Sequence, residues 1–449
     1  MKTQINFILT TLFALIFINV SQAQESIETF SLKEALNYAL TNSIEIQKSI
    51  LDQEQADYAV AEIRSQALPQ ITGSGDLNYF PNIPTQLLPG EIIGQPGIQV
   101  PIQFGTEYTL SGGFDLSQKI FDQSLMTGLK AVKTSEELYT LLKIQTDEDV
   151  IYQVSVTYYQ LLELQAQINS LDSNIVKMRE LENIMRDQFD NEMVTKIDYS
   201  RIKVNRTNME TTLQSLQTTE EQQKNLLKVL MGMPVENEIA LINNGEMDET
   251  SLRSLQFDKN KPIEIQLIEK ELELNVLNQK NIKAGYYPSL SAFANQSWQA
   301  QRNEFNFLSS NAPWFQQTIV GLRLSVPIFD GFYKKSKVQQ SMIAIKKLEL
   351  DQINADRNLD VRYLNAREAL VNTIKSVQAQ KENEILAQEV YDQSQDLYKE
   401  QVGTLTDLLD AENALRNAQV NYRRELLKFR KAELDVLQAQ GQLKQLVQQ

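Results

Sequence analysis

The C-terminal part of the chain carries a seven-residue repeat of apolar positions. The first series keeps this spacing over five heptads: Leu408, Leu415, Tyr422, Phe429, Val436 and Leu443. A second series, three residues later, consists of alanines interrupted only by Glu425: Ala411, Ala418, Ala432 and Ala439. This a/d spacing predicts a long helix in a coiled coil, and its alanines would let neighbouring backbones approach closely. A lone amphipathic helix on a core is the alternative, but it would not require so regular a repeat.

Four shorter segments alternate apolar and polar residues with the period of a β-strand. They are 71–79, which has the weakest pattern, 106–117, 290–299 and 317–326. In the last segment Val320, Leu322 and Leu324 share one face, whereas Gly321 and Arg323 lie on the other. The pattern predicts two pairs of amphipathic strands. Their connections, 80–105 with five prolines and 303–314, are expected to be loops.

Proline placement indicates where long helices run, because proline breaks helix interiors. None of the eleven prolines lies between 102 and 233 or after 327. We therefore expect helices from about 121 to 188, from a short break near 190–195 to about 230, and from about 331 to 398. Shorter helices are expected at 31–67, where Ser31 and Glu34 have capping-box spacing, and at 262–285. A helical arm of about 65 residues would be roughly 100 Å long.

The same order of elements occurs twice along the chain. Ser117–Asp122 aligns with Ser325–Asp330 at an offset of 208, and Phe189–Asp198 aligns with Tyr398–Asp407 at an offset of 209. We therefore predict a mainly α fold with a small β part, built by internal duplication. The predicted divisions are a leader at 1–23, a first structural repeat at 24–234, a linker at 235–261 and a second structural repeat at 262–449.

The first residues have the pattern of an export signal peptide. Lys2 precedes a largely apolar stretch from Phe7 to Val20, and Ser21-Gln22-Ala23 is a small-x-small cleavage site. The stretch is short for a membrane span, so a membrane anchor is the less favoured alternative. No later apolar run approaches the length of a transmembrane helix. If the mature chain crosses a membrane, it must do so with strands.

Composition narrows the function further. The chain has no cysteine and no histidine, so it lacks disulfides, thiolate ligands, the usual zinc ligand and the usual base near neutral pH. We expect no cofactor, no metal site and no catalysis. The net charge of −15 also gives no reason to expect nucleic acid as a partner.

The strands imply an oligomer. Four strands cannot close a membrane barrel, which needs about eight or more, and exposed strand edges must be paired. We expect several protomers to contribute four strands each, with apolar faces on lipid and polar faces on water. Aromatic residues flank the second hairpin loop, either as a membrane girdle or as simple loop anchors: Trp298, Trp314, Phe305, Phe307 and Phe315.

Several motifs together resemble those of the TolC-like outer-membrane efflux proteins, over nearly all of the chain after residue 24. They are the duplication, Tyr286–Ala292 before a strand, Val326–Gly331 after one, and Tyr398 followed by Thr406–Ala411. The resemblance implies a homotrimer with one twelve-stranded transmembrane β-barrel in the outer membrane and a long α-helical coiled-coil barrel in the periplasm. It also implies a passive exit duct for efflux or type I secretion, which docks with a periplasmic adaptor and an inner-membrane pump.

The resemblance further assigns residues to a closed periplasmic end. Asp407 and Asp410 match two aspartates that narrow the entrance in this family, and three copies would place six carboxylates at one cation-selective constriction. The alternative is that both aspartates merely cap or solvate a helix start. Tyr398 and Asp198 match two of the three residues that hold the tip shut. The third, an arginine, is Gly403 here, so one bond of this latch is missing.

Adaptor docking is expected at the same tips, at Glu192, Val194, Gln401 and Gly403. The family usually has a glycine at each tip where this chain has Glu192 and Gln401, and Gly403 would then supply flexibility to the turn. The alternative function is a periplasmic coiled-coil adaptor or scaffold without a pore. Such a protein would share the signal peptide and the heptads, but it would need neither the amphipathic hairpins nor the duplication.

Overall fold

The computed structural model describes residues 28–94, 96–242, 262–309, 313–400 and 402–448. The predicted leader at 1–23 and most of the predicted linker at 235–261 lie outside these described residues. Of these described residues, 68% are helical and a smaller part forms strands, which confirms the predicted fold class at that level. Among the described residues, no helix is both long enough and apolar enough to span a membrane.

The helices and strands follow one another in two similar series. The helices are α1 (Leu32–Asn42), α2 (Ile44–Ser65), α3 (Gln123–Asp190), α4 (Lys196–Met231), α5 (Ile263–Ala284), α6 (Tyr333–Lys399), α7 (Leu405–Ala439) and α8 (Gln445–Gln448). The strands are β1 (Glu28–Phe30), β2 (Gln70–Tyr79), β3 (Thr85–Pro89), β4 (Gln99–Gln103), β5 (Tyr108–Phe121), β6 (Ile239–Leu241), β7 (Ser289–Arg302) and β8 (Phe315–Ser325). Each half thus contains, in this order, a helical segment, two long strands, a very long helix and a shorter helix.

The chain folds into two compact units, and each takes residues from both halves. One consists of residues up to 51, 141–266 and 354–449, and the other of 52–140 and 267–353. The division into repeats at 24–234 and 262–449 therefore concerns the order of elements along the chain, and its boundaries stay a prediction.

The unit formed by 52–140 and 267–353 contains one antiparallel sheet of four long strands in the order β2-β5-β7-β8. The central pair, β5 and β7, brings the two halves of the duplication together. Among the described residues, β2 and β8 each pair on one side only, so both edges of the sheet are open.

The two faces of this sheet differ in polarity. Ile71, Leu116, Ala294 and Val320 form one row across all four strands, and the Ile71 and Val320 side chains are 70% and 76% exposed. The adjacent row points to the opposite face and includes Asp115, whose Oδ1 accepts a hydrogen bond of 2.7 Å from Asn295 Nδ2. The apolar face is therefore uncovered in the single chain, as the alternation of residues predicts.

One sequence expectation for this unit needs correction. The proline-rich segment 80–105 is more than a loop, since β3 and β4 pair antiparallel within it. Pro89 and Pro101 fit this two-stranded ribbon because its outer edges need no ladder hydrogen bonds. In β8, Gly321 leaves room for the ring of Phe293 directly opposite, which would lie 2.9 Å from a Cβ at that position.

The other unit is helical, and the predicted heptad seam of α7 is buried within it. Leu408, Leu415 and Phe429 are at most 2% exposed, and Ala418 is equally buried. Glu425, the interruption of the alanine series, pairs with Lys428 at 2.8 Å. The coiled-coil interpretation of these positions is thus supported by their burial.

The repeat ends earlier than the sequence suggested. α7 stops at Ala439, and the Gln442 N–H donates to the Leu437 carbonyl at 2.8 Å, around a left-handed Gly441 with φ 63°. This arrangement is a helix-terminating Schellman motif. Leu443 is fully buried, but it lies beyond the helix.

The first helix is also divided. The sequence predicted one helix at 31–67, but Ser43 has φ −56° and ψ 134° and separates α1 from α2. The end of α4 explains the break, because Gly232 approaches so closely that a Cβ there would lie 2.2 Å from the Asn42 carbonyl oxygen. The N-terminus of α1 agrees with the prediction, since Ser31 and Glu34 form a capping box.

A buried tyrosine fastens the two short strands of this unit. β1 and β6 pair in parallel, and the Tyr158 hydroxyl lies 2.9 Å from the Phe30 carbonyl and 2.7 Å from the Ile242 carbonyl. It donates to one of these two oxygens from α3. Burial raises the pKa of Tyr158, so the hydroxyl stays protonated.

A carboxylate cluster on α3 is electrostatically unfavourable. Glu148 is only 9% exposed, and burial raises its pKa to about 7. Lys444 lowers this pKa, whereas Glu264, Asp149 and Asp147 raise it. Lys444 and Lys143 pair with Asp147 at 3.3 and 3.1 Å. Their positive charges are therefore shared with Asp147 and do not compensate Glu148 alone.

We predict that Glu148 makes the helical unit less stable as the pH rises. The folded chain retains a proton on Glu148 that the unfolded chain releases near pH 4.5, so the free energy of unfolding falls between about pH 4.5 and about pH 7. Glu148→Gln removes this loss and should stabilise the protein by roughly 1–2 kcal/mol above pH 7, allowing for solvent screening. Thermal unfolding followed by circular dichroism at pH 5 and pH 8 measures the effect. The exposed Glu389→Gln is the control, and an equal gain at both pH values would contradict the prediction.

We also predict that the alanine seam of α7 tolerates no larger side chain. Ala418→Leu should destabilise the protein by about 1–3 kcal/mol, because the added atoms must enter a closed interface. Ala414→Leu, one turn earlier on the exposed side, should change the unfolding temperature little. Thermal unfolding of both variants tests this, and equal shifts would show that Ala418 does not lie in a tight seam.

Candidate functional site

The candidate site consists of two helical turns that the duplication relates. The first joins α3 to α4 through residues 191–195, and the second joins α6 to α7 through residues 400–404. In the first turn the Met193 N–H donates to the Gln188 carbonyl at 2.8 Å, and in the second the Val402 N–H donates to the Leu397 carbonyl at 2.9 Å. Both long helices therefore end with the same hydrogen bond across six residues.

Glu192 adopts the left-handed conformation that this ending requires. Its φ is 60°, and its N–H donates to the Phe189 carbonyl at 2.9 Å. A residue with a Cβ is disfavoured there by about 1–2 kcal/mol, which is why glycine is the usual choice. This strain accounts for the glycine that the resemblance places at this position. Gln401, the corresponding residue of the second turn, lies outside the described residues.

Each shorter helix then begins with a threonine and an aspartate. Thr195 and Thr404 are the N-caps, and their hydroxyls accept hydrogen bonds of 3.2 Å from the N–H groups of Asp198 and Asp407. The same hydroxyls donate to the Asp198 and Asp407 carboxylates at 2.7 and 2.6 Å. Asp407 also accepts from the Thr404 N–H, which completes a capping box.

The two aspartates proposed for the entrance thus have different surroundings. Asp407 caps α7 within its own protomer, as the alternative interpretation of the sequence suggested. Asp410 lies one turn further along α7, is exposed, and makes no hydrogen bond or ion pair with any described residue. The charge of Asp410 is therefore available to whatever lies in front of α7, and its role at an entrance stays a prediction.

The two residues of the predicted latch, Tyr398 and Asp198, form hydrogen bonds with other residues and not with each other. The Tyr398 hydroxyl donates to the Met185 sulfur at 2.6 Å, while the Asp198 carboxylate accepts from Thr195. Burial raises the pKa of Tyr398, and the negative charge of Asp198 raises it further. Tyr398 therefore lies near Asp198 but is not bonded to it in this conformation.

Gly403 provides space in the second turn. Its φ is not left-handed, and a Cβ there would lie 3.2 Å from Leu397 Cβ and 3.3 Å from the Tyr398 nitrogen. Gly403 thus allows the turn to approach the end of α6 closely, and the flexibility that the sequence suggested for it stays a prediction. An arginine at this position would have to displace these neighbours.

An apolar cluster lies directly behind the turns. Its buried members come from α3, α4, α6 and α7, and Val194 and Tyr398 pack against it: Leu171, Ile175, Met178, Leu181, Met185, Ile202, Met209, Tyr391, Leu405, Leu408, Ala411 and Leu415. The rings of Phe189 and Tyr199 stack across the first turn at 5.8 Å. The two turns are consequently held by one continuous core.

Sequence reasoning missed three polar residues between α4 and α7. Arg201 donates to the Thr406 hydroxyl at 3.5 Å, and Asn205 donates to Glu412 at 3.3 Å. Glu412 is only 4% exposed, and burial raises its pKa. Its heptad position beside Ala411 indicates a place near the seam, but only the packing of α4 against α7 identifies its partners.

Arg201 and Asn205 border an open groove of about 770 Å³ along α4 and α7. Its lining combines apolar and cationic side chains: Ile197, Val204, Leu409, Lys196, Arg201 and Arg416. Ile197 and Val204 are 67% and 59% exposed. Within the described residues, no group of three or more acidic side chains is placed to hold a metal ion.

Comparison with known proteins agrees with this architecture. Residues 278–448 match the family model described as outer membrane efflux protein. No curated protein matches the chain in sequence. Among solved structures, CusC is similar to this chain with a TM-score of 0.73 at 15% identity. The superposition covers 91% of this chain and 92% of the CusC chain. The Campylobacter jejuni CmeC outer membrane channel gives 0.73 at 16% identity, covering 91% and 85%. VceC, an outer membrane protein of Vibrio cholerae, gives 0.70 at 13% identity, covering 91% and 96%.

The fold over nine-tenths of the chain is therefore that of the TolC-like channels, as the sequence resemblance predicted. Residues 278–448, which include most of the second structural repeat, are in addition similar to the outer membrane efflux protein family.

We predict that the left-handed Glu192 weakens the first turn. Glu192→Gly should slow hydrogen exchange of the Met193 amide roughly two- to fivefold. It removes the strain of about 1–2 kcal/mol, but the greater freedom of glycine in the open state offsets part of this gain and leaves about 0.5–1 kcal/mol. Glu192→Ala removes the same charge but keeps a Cβ, so it is the matched control and should leave the exchange rate nearly unchanged. Equal exchange in both variants would place the strain elsewhere.

Proposed function

We propose that the chain is the outer-membrane exit duct of a tripartite efflux or type I secretion system. Three copies would form one twelve-stranded barrel, and the long helices would form a periplasmic tunnel. The observation that carries this proposal is the four-stranded sheet, whose apolar face is exposed and whose edge strands β2 and β8 pair, among the described residues, on their inner side only. Because β2 and β8 run antiparallel, β8 of one copy can continue the sheet into β2 of the next.

Aromatic residues at the loop end of the sheet support a membrane position. Trp298 packs edge-on against Phe114 at 6.3 Å on the apolar face, and Phe305 is 66% exposed. Phe307 behaves differently, because it is buried beneath Arg302 at 5.9 Å and anchors the loop. Phe307 thus fits the loop-anchor interpretation, and the exposed rings would form the proposed membrane girdle.

The turns at 191–195 and 400–404 would form the periplasmic entrance. Three-fold symmetry would bring three copies of Asp410 together in front of α7, with the capping Asp407 carboxylates behind them. A ring of carboxylates favours cations and disfavours anions. Asp198 and Tyr398 are near one another beside this ring, and we propose that a change in their contacts accompanies opening.

Docking of a periplasmic adaptor would use the same end. Glu192 is exposed, Val194 is half-buried, and Gly403 keeps the second turn close to α6. The adaptor would connect the duct to an inner-membrane pump that supplies the cargo. A pore-less scaffold is the less supported alternative, because it would leave the apolar face of the sheet without a role.

We predict that Asp410 contributes cation selectivity independently of helix capping. In planar bilayers, the purified protein should show discrete cation-preferring conductance steps, and Asp410→Asn should reduce that preference because the charge lost is exposed and unpaired. Asp407→Asn should add to this effect and also lower thermal stability, since it weakens the capping box.

Thr404→Val is the matched control for that experiment. It removes the capping hydroxyl without changing any charge, so it should lower stability by about 1 kcal/mol and leave selectivity unchanged. Conductance steps that the aspartate changes do not affect would retain the channel but exclude the carboxylate ring. A folded oligomer that never inserts would favour the scaffold.

A further inference from the structure

The end of the sheet from which the helices leave carries a second aromatic group. Between β8 and the start of α6, the chain exposes four large apolar side chains in succession: Ile328, Phe329, Phe332 and Tyr333. Ile328 is 94% exposed and Phe329 77%. We call this group, together with Lys335 and Lys337, the basal collar. No described residue covers it within the single chain.

The backbone of the collar is strained in a way that keeps an aromatic ring outward. Gly331 and Phe332 both have left-handed φ values, 64° and 66°. Glycine adopts this conformation readily, but a bulky residue does so rarely, and such outliers concentrate at functional positions. The Phe332 side chain is 62% exposed, so no burial of its ring compensates for the strain.

Two lysines of the collar lie over these rings without acidic partners. Lys335 Nζ is 5.7 Å from the centre of the Phe332 ring, and Lys337 Nζ is 6.0 Å from that of Tyr333. Neither forms an ion pair with a described residue. Lys334 contrasts with them, because it pairs with Asp330 at 3.3 Å. In a chain of net charge −15, this leaves an exposed and uncompensated positive patch.

The first repeat places a weaker version at the same end of the sheet. Ile120 and Phe121 align with Ile328 and Phe329 at the offset of 208, and they are 54% and 39% exposed. Lys119 is paired with Asp122 at 3.5 Å. At the same offset, Thr127 and Leu129 stand where the second repeat has Lys335 and Lys337, so this copy lacks both collar lysines. The lysine-bearing copy in the second repeat is therefore the specific one.

From this geometry we propose that the basal collar binds anionic phospholipid headgroups at the periplasm-facing leaflet of the outer membrane. The proposal rests on the membrane-spanning role proposed above for the sheet. Aromatic rings at a membrane interface anchor depth, and lysines beside them attract anionic lipids. A second copy of the chain is a poorer occupant, because unpaired lysines are depleted in protein interfaces.

The experiment uses the full-length protein in vesicles of phosphatidylcholine alone or of an equimolar mixture with phosphatidylglycerol. After gentle extraction, mass spectrometry counts the lipids that remain bound. The unaltered protein should retain phosphatidylglycerol in preference to phosphatidylcholine. The double variant Lys335→Gln/Lys337→Gln should lose roughly ten- to thirtyfold of this preference, since each lysine near an anionic surface contributes about fivefold.

Lys346→Gln/Lys347→Gln is the matched control. It removes two exposed lysines from the same helix about 15 Å further along, beyond the headgroups, and should keep the preference. In Phe332→Asn the asparagine tolerates the left-handed backbone conformation. This variant should weaken retention of both lipids equally, because it removes the aromatic ring and leaves both lysines in place.

Three results would overturn the proposal. They are an unchanged preference in the Lys335 and Lys337 variant, an equal loss in the control variant, and loss of the oligomer in the collar variant, which would assign the lysines to a protein contact. Insertion without lipid preference refutes the collar alone, whereas failure to insert into either vesicle refutes the proposed function.

Discussion

The four-stranded sheet imposes the constraint on which the rest of this account depends. One face carries exposed Ile71 and Val320, and the outer sides of the edge strands β2 and β8 pair with no other strand of the described residues. Water cannot stabilise such a face, and open edges invite further strands. Both problems are solved together if copies of the chain close the sheet in a membrane. The duplication then has a clear consequence, because the pairing of β5 with β7 within one chain is the same kind of contact that β8 and β2 would make between chains.

In the helical unit, side-chain packing keeps long polar helices in register. The alanines of α7 allow close packing, and the apolar cluster behind the turns fixes where the helices end. At those ends the chain combines a strained Glu192 with well-made threonine caps. Rigid helix starts beside a weaker helix end would suit the proposed entrance, which would have to close and open.

Patterns that repeat along the chain could be predicted from the sequence. The heptads of α7, the alternation in β8 and the Ser31 capping box each follow from a local period or spacing, and the structure has them. The duplication likewise predicted that both turns would be built alike.

Features that depend on distant residues could not be predicted. Ser43 interrupts a helix because Gly232, far along the chain, approaches its backbone, and Glu412 is buried because Asn205 lies opposite. For Asp407 the sequence suggests two roles at once. Its spacing from Thr404 is that of a capping box, whereas the family resemblance assigns it to the entrance. Sequence alone cannot separate two functions carried by one carboxylate, and within one protomer only the cap is formed.

The central claim is that three copies close one sheet through β2 and β8, and cysteine cross-linking tests it most directly because the natural chain has no cysteine. Ile319→Cys on β8 would be combined, one at a time, with cysteines at the polar-face positions Thr72 and Ser74 of β2. Oxidation should yield a covalent trimer on a denaturing gel for at least one pair. Asp115→Cys on the inner strand β5 should give none with Ile319→Cys, because two strand spacings, about 10 Å, exceed the reach of a disulfide. A monomer or dimer as the final product of every β2 pair would contradict the closure.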